Sequence, residues 1–282
     1  YTVERTDQRA ATTTNDITIT ITGSNAAPVL TANSATTLAL TEGAGLTGEG
    51  TFRVSDPNLS DQVSARVASV AVGGAAGAVG LGNAAYLQML NLSSSTPVAD
   101  GQAEGDLTWR FDSNGETFAA LNAGATLTLD YTIEVADVVG GVSQQVIRVT
   151  VAGVNTPAVI GGDLELTVTE TVAPVADGVV TVVDPDAGEA AFQLLNTVGQ
   201  FGQFSLSPTG AVSFALNEAL ASIRELDQGQ TLREQFNVTS VDGTSASFSV
   251  QVIGNAGLRA ANEQLSMDAS ETVEPRAETT NE

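Results

Sequence analysis

The 282-residue sequence contains no cysteine, no histidine and no lysine, so its 10 basic residues are all arginine. The lack of cysteine excludes disulfides, thiolate nucleophiles and thiolate ligation of metals. The lack of histidine excludes Ser-His and Cys-His catalysis and every imidazole ligand. The remaining side-chain chemistry is that of carboxylates, amides and hydroxyls, which are the ligands that hard cations such as calcium prefer.

Positive charge is scarce as well, because 33 Asp and Glu residues outnumber the 10 arginines and give a formal net charge of -23. A surface this acidic repels phosphate, so nucleic acid is not an expected partner. No apolar run approaches the roughly 20 residues of a membrane helix, so membrane insertion is not expected. The first residues alternate like a strand and lack the apolar core of a signal peptide.

Aromatic residues make up only 5% of the chain. Paired carboxylates can serve a glycosidase, but such an enzyme also needs a cleft with side chains that hold the sugar. The run from Gly73 to Asn83 superficially resembles a phosphate-binding loop but lacks the lysine that reaches the phosphates, so a flexible loop is predicted there. The sequence therefore predicts a protein that is not an enzyme.

Alternation of apolar and polar residues is the dominant pattern of the chain. Isoleucines and threonines alternate from Ile17 to Thr22, and apolar residues share one face from Leu127 to Val135. Half-buried strands of this kind, separated by Gly, Asn and Asp turns, predict an all-β fold of tandem cadherin-like or Ig-like β-sandwiches. Helical spacing is rare, and between Leu216 and Leu226 it predicts one or two short turns.

Internal repeats define the domain organisation. Residues 131–155 repeat residues 1–25, and residues 210–242 repeat residues 105–137. The predicted linear array consists of the C-terminal hairpin of a preceding sandwich (1–23), a sandwich with an insertion at about 69–104 (24–153), a second sandwich (154–254), and a linker with the first strand of a following repeat (255–282).

Several motifs occur in the same order in both repeats. The second repeat has Asp184-Pro185-Asp186, Leu226-Asp-Gln-Gly229 and Asp242-Gly243, and the first has Leu107-Thr-Trp109 and Leu121-Asn-Ala-Gly124. This order resembles the VCBS-type, cadherin-like repeats of giant bacterial repeats-in-toxin (RTX)-type surface adhesins. The resemblance implies β-sandwiches in long calcium-rigidified stalks, type I secretion, an extracellular location at the bacterial cell surface, and a role in cell adhesion or biofilm formation.

The joints between repeats depart from the pattern of that family, which usually joins its domains with Gly-Thr-Asn-Asp-Ala-Pro-Val. The residue after the joint asparagine is Ala26, Thr156 or Ala256, so the family's joint aspartate is missing three times. This departure predicts looser joints.

Oxygen-bearing side chains recur in two Asp-Pro loops and at fixed spacing around them. Ligands two and five positions apart in a tight turn can converge on one calcium ion, which takes 6–8 oxygens. If the sandwich brings these segments to one end, each cluster holds several carboxylates, which repel one another without a cation. The candidate metal ligands are Glu42, Asp56, Asn58, Asp61, Asp137, Glu170, Asp184, Asp186, Glu189 and Asp242.

An alternative interpretation needs no metal, because Asp-Pro and Asp-Gly are also ordinary turn formers. Two aromatic residues allow similar alternatives. Trp109 could stack on a sugar, but its repeat partner is Phe214, so a core position is predicted. Tyr86 lies in the insertion, where no repeat explains it, and a ligand contact is conceivable there.

The leading hypothesis is a calcium-stiffened stalk or extender segment of a secreted bacterial adhesin. Its partners are neighbouring repeats of the same polypeptide, and a surface glycan or protein is bound through other domains. One alternative is a ligand-binding module that uses the insertion at 69–104. Another is an extracellular matrix or filament subunit that assembles by strand exchange through residues 1–23 and 263–275.

Overall fold

The structure, a computed structural model, describes residues 1–255. The predicted all-β class is confirmed, since this part of the chain forms 18 strands and three short helices. The helices have at most five residues each. No helix of the described residues has the length and apolar character needed to cross a membrane.

The first two strands, β1 (Thr2–Thr6) and β2 (Thr12–Asp16), form an isolated antiparallel hairpin. The strand predicted from Ile17 to Thr22 is wrong, because these residues lie outside the hairpin and form no strand. Ile17 donates its N–H to the carbonyl of Tyr1, and the paired register of the hairpin stops there. A strand needs a neighbour for its backbone groups, and the described structure places none beside residues 18–22.

The first sandwich, residues 29–152, consists of two four-stranded sheets. One has the order β4-β10-β9-β6 and contains β4 (Thr37–Thr41), β6 (Ser64–Gly74), β9 (Thr126–Ala136) and β10 (Val142–Ala152). The other has the order β3-β5-β8-β7 and contains β3 (Val29–Ala32), β5 (Thr47–Ser55), β7 (Leu90–Leu92) and β8 (Glu104–Asp112).

The second sandwich, residues 159–253, packs a five-stranded sheet on a three-stranded one. The five-stranded sheet has the order β11-β13-β16-β15-β14 and contains β11 (Val159–Gly162), β13 (Val175–Val183), β14 (Leu195–Val198), β15 (Gly202–Leu206) and β16 (Ala211–Leu216). The three-stranded sheet has the order β12-β18-β17 and contains β12 (Glu165–Thr169), β17 (Thr231–Thr239) and β18 (Ser245–Ile253). The predicted short helical turn is α3 (Ala221–Arg224).

Each sandwich has its own apolar core, built from the inward-facing residues of its two sheets. The predicted face from Leu127 to Val135 is confirmed, because every second residue of β9 is buried in the first core. Trp109 is a core residue as predicted, and Phe214 occupies the equivalent place in the second core. Phe204 and Phe236 stack there with ring centroids 4.4 Å apart.

The insertion of the first sandwich packs into the core. Its glycine- and alanine-rich run was predicted as a flexible loop, and this is wrong, because the run forms the end of β6, α1 (Ala76–Val79) and the start of α2 (Asn83–Leu87). Tyr86 of α2 is only 1% exposed and belongs to the core cluster. A recognition loop would present such a side chain to solvent, so Tyr86 is not positioned to contact a ligand.

In both sandwiches an early strand lies parallel to the last one. Thr37 to Thr41 of β4 run alongside Arg148 to Ala152 of β10, and β12 pairs with β18 in the same way. The turn before β10 and the joint after it therefore lie at opposite ends of the first sandwich. The 11 residues of β10 separate these ends by about 33 Å.

Candidate metal centre

Three buried aspartates meet at the N-terminal end of the first sandwich. Asp56 follows β5, Asp61 lies in the same Asp-Pro loop, and Asp137 begins the turn between β9 and β10. One carboxylate oxygen from each lies within 4.8 Å of those of the other two. We call Asp56, Asp61 and Asp137 the N-terminal cluster.

Asp56 shapes its own loop and also has an oxygen to spare. Its Oδ1 accepts the N–H of Asn58 at 2.8 Å, which is the hydrogen bond expected of an aspartate in a tight turn. Its Oδ2 is buried and has no hydrogen-bond partner among the described residues. The turn interpretation of the Asp-Pro motif therefore accounts for one oxygen of Asp56 and leaves the other without a function.

Asp137 is held in its charged form by the turn that it begins. The side-chain amide of Asn25 donates to its Oδ2 at 2.9 Å, and the N–H groups of Val139, Gly140 and Gly141 all donate to its Oδ1. The Asn25 bond, assisted by these backbone donors and opposed by desolvation, lowers the pKa of Asp137 below its ordinary value. The N-terminal cluster thus contains a carboxylate that stays ionised in acidic conditions.

A second set of carboxylates lies at the joint between the two sandwiches. Glu42 follows β4 of the first sandwich, and Asp184 and Asp186 belong to the Asp-Pro loop that follows β13 of the second. Burial raises the pKa of Glu42, the N–H of Val154 opposes this, and the charge of Asp186 adds to the increase. We call Glu42, Asp184 and Asp186 the joint set.

Each member of the joint set has a buried oxygen without a hydrogen-bond partner among residues 1–255. Asp184 Oδ1 accepts the N–H of Asp186 at 2.8 Å, and Asp186 Oδ2 accepts the N–H of Thr156 at 2.9 Å. The other oxygens, Glu42 Oε2, Asp184 Oδ2 and Asp186 Oδ1, are the unpartnered ones. Asp186 is 2% exposed, so solvent reaches little of this side chain.

Glu42 does not lie with the Asp-Pro loop of its own sandwich. Its N–H donates to the carbonyl of Ala152 at the end of β10, whereas Asp56 and Asp137 lie at the opposite end. Parallel pairing of β4 with β10 is the reason, because it sends Glu42 towards the following repeat. The idea that one sandwich gathers both segments is therefore wrong, and the joint set is shared between two sandwiches.

The remaining candidate ligands have other partners. Asp242 lies at the joint end, but its oxygens accept hydrogen bonds from Ser240, Thr244 and the N–H of Ala158, which lower its pKa. Glu189 accepts a hydrogen bond from Asn122 of the first sandwich. Glu170 is fully buried at the far end of the second sandwich, where the N–H of Asn255 donates to it.

The joints are tied by the backbone of their linkers. Ala26, at the position of the missing joint aspartate, donates its N–H to Asn58 Oδ1 at 3.0 Å. Thr156 makes the corresponding bond to Asp186 at the second joint. Both linkers are therefore bound to the Asp-Pro loops through their backbone N–H groups, although the aspartate side chain is missing. The third joint and the strand predicted after it lie mostly outside the described residues.

The ion pairs that arginines form on the sheet faces involve other carboxylates than those of the N-terminal cluster and the joint set. Arg53 pairs with Glu104 and Asp106, Arg66 with Glu134, and Arg148 with Asp130, all on outer strand faces. Buried like charges cost free energy unless a counter-charge or hydrogen bonds compensate them. The converging carboxylate oxygens of the N-terminal cluster fit a hard cation, and calcium suits this donor set. Among the described residues, the three carboxylates of the joint set do not form a group this close.

Two asparagines of this region were not among the candidate ligands. Asn25 binds Asp137, and Asn122 binds Glu189. Asn25 recurs as Asn155 in the repeat, which is a signal that could have identified it. Asn122 recurs as Asp227, so repetition alone does not identify it.

Comparison with known sequences gave no match, either to a family model or to a curated protein. Comparison with solved structures gave matches of low similarity. The chain is similar to Protocadherin Gamma B2 extracellular cadherin domains 1-5, with 17% identity, a TM-score of 0.40, and coverage of 90% of this chain and 45% of that one. The chain therefore spans less than half of that structure.

Two further matches have still lower TM-scores. Human CDH23 EC21-23 has 16% identity and a TM-score of 0.37, and the match covers 89% of this chain and 72% of that one. The ASH/PapD-like domain of human CEP192 has 9% identity and a TM-score of 0.32, with coverage of 51% and 96%. At these TM-scores the β-sandwich assignment depends on the strand pairing described above, and the narrower resemblance to VCBS-type repeats stays a prediction.

Proposed function

We propose that this chain is a calcium-stiffened stalk segment of a secreted bacterial cell-surface adhesin, which projects a binding domain for adhesion or biofilm formation. The observation that supports it best is the N-terminal cluster, in which three buried aspartates bring one oxygen each to within 4.8 Å of the others and Asp56 Oδ2 has no hydrogen-bond partner among the described residues. A second cation, bound between Glu42 of the first sandwich and the Asp-Pro loop of the second, would contact both sandwiches. Calcium is the proposed cofactor, and neighbouring repeats are the proposed partners.

The residues divide into ligands and supports. Asp56, Asp61 and Asp137 would hold a cation within the first sandwich, and the joint set would hold another between the sandwiches. Asn58 and Asp242 tie the linkers through backbone N–H groups. A bound calcium ion supplies positive charge and coordination to oxygens that otherwise repel one another, and no catalysis is part of this proposal.

The energetic effect of such binding follows from mass action, because a ligand that binds only the folded state stabilises it. Extracellular modules bind calcium at about 10⁻⁴ to 10⁻³ M. A chain with this affinity stays unliganded in calcium-poor cytosol and becomes liganded outside the cell. The linkers enter and leave the first sandwich at opposite ends, which suits end-to-end growth of an array whose units contact mainly their neighbours.

Calorimetric unfolding of the full chain with calcium and with a chelator tests the proposal. We expect the melting temperature to fall by several degrees in chelator for the wild type, and by less for Asp56→Asn. Asp106→Asn is the matched control, because the Asp106 side chain is exposed on the outer face of β8 and forms its ion pair with Arg53, away from the buried carboxylates. An unchanged wild-type melting temperature in chelator would exclude calcium stiffening.

Assembly by strand exchange is a second candidate, and the isoleucines after the first hairpin favour it. Ile17, Ile19 and Ile21 are 51, 63 and 89% exposed, so they need an apolar partner that the described residues do not supply. Sedimentation velocity over a range of concentrations distinguishes the candidates. Strand exchange predicts growing oligomers that disappear when residues 1–23 are deleted, whereas a stalk segment stays monomeric. Tyr86, the residue of the insertion that was a candidate for ligand contact, is buried in the core, so it offers no comparable support for a ligand-binding module.

A further inference from the structure

One side chain of the first sandwich bonds directly to the second. The amide nitrogen Nδ2 of Asn122 donates to Glu189 Oε1 at 2.5 Å and to the carbonyl of Ala187 at 3.2 Å. Asn122 precedes β9, and both acceptors lie in the loop after β13. The acceptor is a carboxylate oxygen, and hydrogen bonds to carboxylates belong to the stronger class. The contact needs no cation.

The backbone holds Asn122 against the linker that leaves the first sandwich. Gly153 donates its N–H to Ala125 O at 2.9 Å, and Gly124 donates to Gly153 O at 3.3 Å. A Cβ on Gly153 would lie 2.3 Å from Leu121 O and 2.4 Å from Asn122 O, so only glycine fits this close approach. The position of Asn122 relative to the joint is therefore fixed.

The second sandwich repeats this backbone arrangement with a different side chain. Gly254 donates to Gln230 O at 2.9 Å, and Gly229 donates to Gly254 O at 3.0 Å. The residue that corresponds to Asn122 is Asp227, whose carbonyl would lie 2.5 Å from a Cβ on Gly254. A carboxylate cannot donate a hydrogen bond. The two segments at which the chain leaves its sandwiches thus have the same backbone hydrogen bonds. They differ in the side chain at this position, which can donate a hydrogen bond at Asn122 and can only accept one at Asp227.

Glu189 has a counterpart as well. In the repeat it corresponds to Asp61, which lies in the N-terminal cluster. At the second joint the equivalent carboxylate instead reaches Asn122. We infer that Asn122 is a positioning residue that holds Glu189 outside the joint set and clamps the two sandwiches together without a cation. The clamp goes beyond the proposed calcium role and can hold whether or not calcium binds.

Pulsed electron spin resonance on the full chain can measure the clamp, because the sequence has no cysteine and engineered cysteines are labelled uniquely. Ala71→Cys on β6 and Ser247→Cys on β18 place exposed labels on the two sandwiches. Ala71→Cys with Glu49→Cys places both labels on the first sandwich and serves as the fold control. All distance distributions are recorded in chelator.

Two variants separate loss of the bond from general damage. Asn122→Asp introduces the residue type found at the equivalent position, Asp227, and places the carboxylates of residues 122 and 189 next to each other. Asn122→Asp with Glu189→Gln restores a donor and an acceptor with their positions exchanged. We expect the single variant to broaden the distribution between sandwiches about twofold, since domains joined only by a linker move freely. The double variant should return part of the wild-type width, because it restores the bond between residues 122 and 189 but not the bond to the carbonyl of Ala187.

An unchanged width in Asn122→Asp would overturn the clamp, as would a double variant that stays broad. Broadening of the label pair within the first sandwich would also count against it, because the fold itself would then have loosened. Calcium is added as a separate arm. If calcium narrows the distance distribution between the sandwiches, the proposed cation is supported. If calcium leaves this distribution unchanged, the calcium proposal is contradicted, whereas the distributions recorded in chelator still test the role of Asn122.

Discussion

The hydroxyl of Tyr131 donates a hydrogen bond of 2.8 Å to the backbone carbonyl of Tyr86. This bond ties the insertion helix α2 to the central strand β9 inside the first core. The equivalent residue of the second sandwich, which has no insertion, is Phe236. The hydroxyl of Tyr86 itself is buried and has no hydrogen-bond partner among the described residues. Two neighbouring tyrosines therefore use their hydroxyls differently.

Removal of each hydroxyl should have a different effect on stability. Tyr131→Phe leaves the Tyr86 carbonyl without its donor and should cost about 1 kcal/mol of unfolding free energy. Tyr86→Phe removes a buried hydroxyl that has no hydrogen-bond partner among residues 1–255, and it should be neutral or slightly stabilising. Denaturant unfolding of both variants measures the difference, with the exposed Tyr1→Phe as the control. Equal losses from Tyr131→Phe and Tyr86→Phe would contradict this account.

Thr171 adopts a left-handed backbone conformation next to the buried Glu170, with φ of 63°. This conformation is costly for a β-branched residue, by about 1–2 kcal/mol. Gly43 occupies the corresponding place after Glu42 and has φ of 140°. We expect Thr171→Gly to raise the unfolding free energy by about 1 kcal/mol, because the relief of strain exceeds the added chain entropy.

The control for that experiment is Thr167→Gly, which removes an exposed threonine from the extended strand β12. There the glycine brings only an entropic cost, so this variant should be destabilised. Thermal unfolding of both variants gives the comparison. A lower melting temperature for Thr171→Gly would show that other interactions at the turn outweigh its strain.

Glu234 predicts a pH dependence of the second sandwich. It points inward from β17 and accepts the N–H groups of Gln200 and Phe201, and burial raises its pKa despite these bonds. A raised carboxyl pKa gives stability that is present at low pH and is lost as the pH rises through the folded-state value. Wild-type stability should therefore fall relative to Glu234→Gln as the pH rises from about 4 to about 7.

Glu134 gives the matched comparison, because its bonds to Arg66 and Gln144 lower its pKa. For this residue the sign reverses, and the wild type should gain on Glu134→Gln as the pH rises from the lowered folded-state pKa to the unfolded-state value of about 4.3, with little further gain above it. Urea unfolding of the three proteins at several pH values measures both trends. Parallel pH profiles for all three would contradict the assignment.

Asp61 and Glu189 are equivalent in the repeat but should differ in calcium binding. Asp61 lies in the N-terminal cluster, whereas Glu189 is bonded to Asn122. Asp61→Asn should weaken the proposed calcium binding by at least about tenfold. Glu189→Gln should leave it nearly unchanged, because the amide oxygen still accepts from Asn122. Isothermal titration with calcium distinguishes the two, and equal losses would place Glu189 among the ligands.

The alternation of residues predicted which faces would be apolar, but not whether a partner would cover them. Ile147, Val149 and Val151 of β10 are fully buried, whereas the matching residues Ile17, Ile19 and Ile21 are exposed. The two segments have nearly the same pattern, and β10 alone has a strand on each side and a second sheet against its face. Strand character depends on such neighbours as much as on the local sequence.

The candidate metal ligands also show where prediction from the sequence stops. Repetition identified Glu42 and the Asp-Pro loops, because carboxylates recurred at one spacing. It could not show that Glu42 would contact the loop of the next sandwich, since that depends on the parallel pairing of β4 with β10. Neither could it show that part of the insertion packs against the core, because its alanines and glycines fit a loop as well as a short helix.

The pairing of β4 with β10 also affects how the first sandwich would carry tension. Residues 37–41 lie beside residues 148–152 and run in the same direction. A pull that draws the linker before residue 29 and the linker after residue 152 apart acts on these two strands in opposite directions along their common axis. Their hydrogen bonds are then sheared together and cannot open one after another from an end. The same holds for β12 and β18, so each repeat would resist force through its second and last strands.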